Sequence, residues 1–128
     1  MVYSATDEFV QPQIDPFASA ILSDARGVGV SNTEVQEACP AQIAGGIYTH
    51  EGMLSNPISY ALAIDALTHP GPGDFSRVDK ALCADLAAPG LSSADVLATE
   101  EVIDIVLLNI IIYPLKVTAE PAVTSYAS

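Results

Sequence analysis

Apolar residues recur at helical spacing in several segments of the chain, and residues that start or stop helices bound each segment. In the clearest case, Asn56-Pro57 places a capping side chain before a proline at the first helical position. An apolar face continues to Thr68, and the sequence His69-Pro70-Gly71-Pro72-Gly73 then stops the helix. The pattern predicts a helix over residues 57–68, with His69 at its C-terminal end.

Four other segments combine a start signal, an apolar stripe and a stop signal. Capping-box spacing occurs at Ser31 and Glu34 and again at Ser92 and Asp95. The predicted helices cover residues 16–27, 31–45 with a break or kink at Pro40, 75–86 and 92–113. Together with residues 57–68 they predict an all-α fold, a compact bundle of about five helices.

The most apolar segment is VIDIVLLNIII, residues 102–112. It is shorter than the roughly 20 residues of a membrane-spanning helix and contains Asp104 and Asn109, so we expect no membrane span. Valine and isoleucine are frequent in it, which also suits a buried strand and would make the fold α+β. We favour the helix because a lone strand needs a partner and no other segment is typical of one.

The length of 128 residues suits a single domain. No helical stripe is found near either end of the chain. We therefore predict one domain, 1–128, with a helical core over 15–113 and extended arms over 1–14 and 114–128.

Composition suggests self-association. The chain has 16 acidic and 4 basic residues, a net charge of −12, which disfavours nucleic acid and anionic lipid as partners. Only 16% of the residues are charged and 50% are hydrophobic, so we expect apolar surface to be buried between copies. The sequence predicts a structural or self-assembly protein, a homo-oligomer or filament subunit. Its interface would use Val102, Val106, Ile110 and Tyr113.

The two histidines supply the candidate chemistry, because His50, Glu51 and His69 have the side chains that bind divalent metals. A helix about 18 Å long would separate the histidines, and no HExxH or CxxC motif is present, so we predict no metal site and no cofactor. Nothing in the sequence marks a serine or cysteine as an activated nucleophile. Whether the protein is an enzyme is left open, with the balance against it. The alternative function is a small enzyme or ligand-binding module using the 48–53 loop and the HPGPG turn.

The chain has two cysteines, Cys39 and Cys83. They allow either one disulfide or two buried free thiols, and the sequence does not decide between these. A disulfide would favour an extracellular location, and no other feature indicates a compartment.

Overall fold

A short parallel sheet joins the N-terminus of the chain to its middle. The computed structural model describes residues 1–119 and 122–125. Strand β1 (Val2–Tyr3) pairs in parallel with β2 (Thr33–Glu34), with Val2 opposite Thr33 and Tyr3 opposite Glu34. Parallel strands need a long crossover connection, and residues 4–32 supply it without any helix.

The helices are fewer and shorter than those of a five-helix bundle. They are α1 (Val35–Ala38), α2 (Pro57–Thr68), α3 (Ser93–Glu100) and α4 (Val102–Ile112). Short 3₁₀ turns occupy residues 43–45, 52–54, 75–77 and 80–84. Among the described residues only α2, α3 and α4 are α-helices of more than four residues, so the predicted all-α bundle of about five helices is wrong.

The helix predicted at residues 57–68 is confirmed as α2. The Asn56 Oδ1 atom accepts the backbone N–H groups of Ile58 and Ser59 at 2.9 and 3.1 Å. The Asn56 amide also donates to the carbonyl of Ala44 at 2.9 Å, so this fully buried side chain fixes the start of α2 against another segment. His69 is the C-terminal cap, and its N–H donates to the carbonyl of Asp65.

The disulfide interpretation of the cysteines is confirmed. Cys39 and Cys83 are bonded, with their Cα atoms 5.4 Å apart. Both residues are buried in the main core, which packs α1 and α2 against the 80–84 turn. The core consists of Val35, Cys39, Ala44, Ile58, Leu62, Val78 and Cys83.

Residues 16–27 do not form the predicted helix, and side chains instead hold the backbone at Leu22 and just beyond Gly27. The Asp24 carboxylate accepts the N–H groups of Val28 and Gly29 at 3.0 and 2.9 Å. The Asn32 side chain accepts from the Leu22 N–H and donates to the Leu22 carbonyl. Such side-chain to backbone hydrogen bonds favour turns over helix.

Two other predicted helices are largely replaced by strand and 3₁₀ structure. In the predicted helix at 31–45, Thr33 and Glu34 pair with β1, so Glu34 does not form the predicted capping box with Ser31, and the α-helical part is limited to α1. In the predicted helix at 75–86, Asp74 and Asp79 each cap a separate 3₁₀ turn. Val78 is extended between these turns and is buried, so tertiary packing overrides the helical periodicity.

The predicted helix over 92–113 is present in two pieces. Ser92 and Asp95 form the predicted capping box, and Glu101 separates α3 from α4. Because residues 102–112 are helical, the α+β alternative based on a strand there is also wrong. In the described ranges, no helix is both long and apolar enough to cross a membrane.

The N-terminal segment is not the extended arm that the fold prediction required, because it supplies β1 and buries Tyr3, Ser4 and Asp7. The proposed C-terminal arm lies partly outside the described residues. Its described parts, 114–119 and 122–125, contain no helix or strand.

Candidate active site

An aspartate and a histidine meet beside the small sheet. The Nδ1 atom of His50 lies 2.9 Å from the Oδ2 atom of Asp7. Asp7 follows β1, and His50 lies in the loop between the core segment around Ala44 and α2. The contact therefore depends on the N-terminal segment and the 48–53 loop being held together.

Hydrogen bonds around Tyr48 hold these segments together. The Tyr48 carbonyl accepts the hydroxyls of Ser4 and Thr6 at 2.8 and 2.9 Å, and its N–H donates to the Thr6 hydroxyl at 3.1 Å. The Tyr48 phenol donates to the carbonyl of Leu86 at 2.7 Å. Because Ser4 is fully buried, its bond is shielded from water and fixes Asp7 near His50.

The environment of Asp7 favours its ionised form. Its Oδ1 atom accepts the backbone N–H groups of Phe9 and Val10, both at 2.8 Å. Burial by itself raises the pKa of the carboxyl, but the hydrogen bonds from Val10, His50 and Phe9 outweigh burial and lower the pKa. An ionised Asp7 can only accept, so the imidazole donates from Nδ1 and its Nε2 atom is left for proton transfer.

His50 is held as a readily protonated base. Its hydrogen bond with Asp7 raises its pKa; partial burial opposes this, and the charges of Asp7, Glu51 and Glu8 reinforce it. The backbone N–H of His50 donates to the Glu8 carboxylate at 3.1 Å, and the ring of Phe9 packs edge-on against the imidazole. The side chain of His50 is 48% exposed, so its free nitrogen is accessible.

A largely apolar cavity of about 530 Å³ adjoins the pair. Asp7 and His50 line it together with Ser19 and Ser59. Neither of these two serine hydroxyls is hydrogen-bonded to His50: Ser19 donates to the carbonyl of Gln11, and the buried Ser59 hydroxyl has no partner among the described residues. The remaining lining residues are Met1, Val2, Tyr3, Val10, Ala20, Met53 and Leu54. The arrangement can remove a proton from a group bound in the cavity and stabilise the resulting imidazolium.

The three metal candidates are not brought together as one site. His50 and Glu51 lie in the loop near Asp7, whereas His69 lies at the C-terminal end of α2, with its Nδ1 atom 3.1 Å from Asp65. Within residues 1–119 and 122–125, no group of three histidine, cysteine, aspartate or glutamate side chains could hold a metal ion. The buried Oε2 atom of Glu51 has no hydrogen-bond partner in this part of the chain.

The four predicted interface residues lie on or just after α4. Val102, Ile110 and Tyr113 are exposed, and Val106 is partly exposed. Their role at an interface between copies of the chain stays a prediction.

Sequence reasoning missed Asp7, the partner of His50. It assigned residues 1–14 to an arm, although the segment contains Val2-Tyr3 followed by the short polar residues Ser4, Thr6 and Asp7. No local pattern in this segment marks Asp7, because its approach to His50 depends on residues far along the chain.

The chain is similar to a crystal structure of lipase B from Aspergillus fumigatus, with a TM-score of 0.92 and 50% sequence identity. The match covers 99% of this chain and 30% of the lipase chain, so the chain spans less than a third of that lipase's length. No protein-family model matches the sequence, and a search of curated proteins finds no match.

This similarity overturns the predicted function as a structural, filament-forming or self-assembly protein. A chain with half its residues identical to a lipase and the same fold over nearly its whole length is better explained by the enzyme alternative. The structure also changes the site proposed in that alternative. The 48–53 loop does line the cavity, but it combines with Asp7, and the HPGPG turn is not part of that cavity.

Proposed function

We propose that the chain provides the aspartate and histidine of the active site of an ester hydrolase acting on lipid esters. The observation that carries the proposal is the 2.9 Å contact of His50 Nδ1 with an Asp7 carboxylate that two backbone amides keep ionised. This is the relationship between histidine and aspartate in a Ser-His-Asp triad. The similarity to lipase B of Aspergillus fumigatus supports this class of enzyme.

His50 acts as the proton carrier in this mechanism. Its Nε2 atom takes the proton of a serine hydroxyl as the serine oxygen bonds to the ester carbonyl carbon. Asp7 keeps the proton on Nδ1 and stabilises the positive charge of the imidazolium. His50 then gives its proton to the departing alcohol. In the second half His50 deprotonates a water that attacks the acyl-enzyme, and it returns that proton to the serine oxygen as the carboxylic acid leaves.

We place the nucleophilic serine in a region that corresponds to the part of the lipase that this chain does not match. In α/β-hydrolases the triad follows the chain order serine, aspartate, histidine, and here Asp7 precedes His50. Ser4 precedes Asp7, but its hydroxyl bonds to the Tyr48 carbonyl and to Thr6. We use "complete protein" for a polypeptide that carries these residues together with that nucleophile.

The cavity supports an apolar acyl group as the substrate part bound next to His50. Its walls include Val2, Val10, Met53 and Leu54, and its volume of about 530 Å³ is in the range of small-molecule sites.

The Cys39–Cys83 disulfide supports secretion, because disulfides persist in oxidising compartments. The net charge of −12 argues against nucleic acid as a partner.

Hydrolysis of p-nitrophenyl esters of short and long fatty acids by the complete protein tests the proposal. His50→Ala should lower kcat by at least about 10⁴-fold, because proton transfer to and from the serine is lost. His69→Ala is the matched control, since it removes the other histidine at the end of α2. It should retain the activity of the wild type.

Two outcomes would contradict the proposal. The first is hydrolysis that is equal in the wild type and in His50→Ala. The second concerns the nucleophile: Ser59→Ala, which changes the unpartnered cavity hydroxyl, should retain activity. Loss of the acyl-enzyme intermediate in Ser59→Ala would place the nucleophile within this chain and overturn the assignment made here.

A further inference from the structure

A carboxylate from a distant helix reaches the residue next to His50. Glu100 is the last residue of α3, and its two carboxylate oxygens lie 2.9 and 2.8 Å from the Oγ1 atom of Thr49. Both residues are partly buried. Glu100 makes no contact with Asp7 or with the His50 ring among the hydrogen bonds and ion pairs of the described residues.

The Thr49 hydroxyl both donates and accepts a hydrogen bond. It donates to Glu100 and accepts the N–H of Gly52 at 2.9 Å. The Thr49 carbonyl accepts the N–H of Met53 at 3.2 Å. These bonds close the short turn that contains His50, so the side-chain rotamer of Thr49 determines how that turn is held.

Gly52 leaves the space that the Glu100 carboxylate occupies. A Cβ atom added at Gly52 would lie 2.5 Å from Glu100 Oε1 and 3.0 Å from Thr49 Oγ1. Gly52 is buried and its φ is not in the left-handed region, so a side chain at this position is opposed by the close approach and not by backbone strain. The absence of a side chain at Gly52 therefore leaves the space through which the carboxylate reaches Thr49.

We propose that Glu100 is a positioning residue for His50, acting through Thr49. The expected effect on kcat rests on the proposed function, whereas the expected effect on the orientation of His50 does not. By fixing the Thr49 hydroxyl, Glu100 holds the turn so that the His50 ring meets Asp7. Because Glu100 ends α3, the position of the α3–α4 segment is coupled to the orientation of the proton carrier.

The test compares Glu100→Ala, Glu100→Gln and Gly52→Ala with the control Glu101→Ala, which changes the adjacent, exposed glutamate. Glutamine keeps a carbonyl oxygen that can accept from Thr49, whereas alanine does not. NMR titration of the 128-residue chain measures the His50 pKa and the Nδ1–H resonance. Kinetics of the complete protein measure kcat and KM for ester hydrolysis.

Glu100→Ala should lower the His50 pKa and broaden or shift the Nδ1–H resonance, because the bond to Asp7 is no longer held in place. It should also reduce kcat by about 10- to 100-fold with little change in KM, since a small misplacement of a catalytic group is costly. Glu100→Gln should recover most of both effects. Gly52→Ala, which displaces the Glu100 carboxylate but keeps its charge, should reproduce the effects of Glu100→Ala.

A wild-type His50 pKa and kcat in Glu100→Ala would overturn the inference, as would equal defects in Glu100→Gln and Glu100→Ala. If the complete wild-type protein hydrolyses no ester, the proposed function fails. The NMR titration then still decides whether Glu100 positions His50.

Discussion

The imidazole of His50 hydrogen-bonds to the carboxylate of Asp7 at 2.9 Å, although the two residues are 43 positions apart in the chain. The approach depends on β1 and on the bonds from Ser4 and Thr6 to Tyr48. Two features of the pair matter for chemistry: Asp7 has a lowered pKa and His50 has a raised one. Both shifts favour the ion pair that forms when His50 accepts a proton.

The pH dependence of ester hydrolysis should report His50. A general base works in its neutral form, so kcat/KM should rise with pH through the His50 pKa, which lies above the ordinary value of 6.5. In Asp7→Asn the residual activity should show this rise at lower pH, because the hydrogen bond and charge that raise the pKa are lost. A pH–rate profile with the same midpoint in both proteins would contradict this.

The same pair links stability to pH. A raised histidine pKa stabilises the fold fully below the unfolded-state pKa, and this contribution is lost as pH rises through the folded-state pKa. Chemical denaturation of the wild type should therefore show a decrease in stability across this range. His50→Gln should show a smaller decrease, and an equal decrease in both proteins would disagree with the shift.

The disulfide should be a major source of stability. It closes a loop between residues separated by 44 positions, which corresponds to about 4 kcal/mol in the chain-entropy description. Urea unfolding with and without reductant measures this difference. Cys39→Ala/Cys83→Ala should be insensitive to reductant, and a wild type equally insensitive would contradict the bond.

Asn56 should be worth more to stability than an exposed cap. Asn56→Ala removes two bonds to the start of α2 and leaves the Ala44 carbonyl without its partner, with an expected cost of about 2 to 3 kcal/mol. Ser92→Ala, at the exposed cap of α3, should cost only about 0.5 to 1 kcal/mol. Equal unfolding free energies for the two variants would show that the buried bond to Ala44 contributes nothing.

Asp65 should contribute stability at neutral pH that is lost in acid. The hydrogen bond from Arg77, with help from the Asp74 N–H, lowers the pKa of the buried Asp65 carboxyl from 3.8 to about 2. A lowered pKa gives stability above the unfolded value of 3.8 that is lost as pH falls towards the folded value of about 2. Asp65→Asn should be less stable at neutral pH and should lose less between pH 4 and pH 2, as measured by thermal unfolding.

Local signals made α2 and the α3 capping box predictable, because Asn56-Pro57 and Ser92 with Asp95 act on neighbouring backbone groups. The strands could not be recognised, since two-residue strands have no periodicity and exist only through pairing across a long crossover. The helical stripe at 75–86 was misleading because Val78 and Cys83 reach the core from 3₁₀ turns and extended backbone.

The candidate site was half visible in the sequence. His50 and its loop were identified as candidate chemistry, but they were compared with His69 because both follow threonine. Asp7 was hidden because its approach depends on β1 and on the buried Ser4 bond to Tyr48. The apolar residues of α4, which are exposed in the structure, led to the prediction of self-association. That prediction was wrong because composition alone does not identify what covers an apolar surface.

The kcat of Asp7→Asn in ester hydrolysis by the complete protein tests the central claim most directly. Asparagine keeps the shape of Asp7 but removes the charge that fixes the Nδ1–H tautomer of His50, so kcat should fall by about 10⁴-fold. Asp79→Asn is the control, because Asp79 is exposed, caps the turn at 80–84 and does not line the cavity beside His50. A kcat for Asp7→Asn equal to that of the control would contradict a triad built on Asp7 and His50.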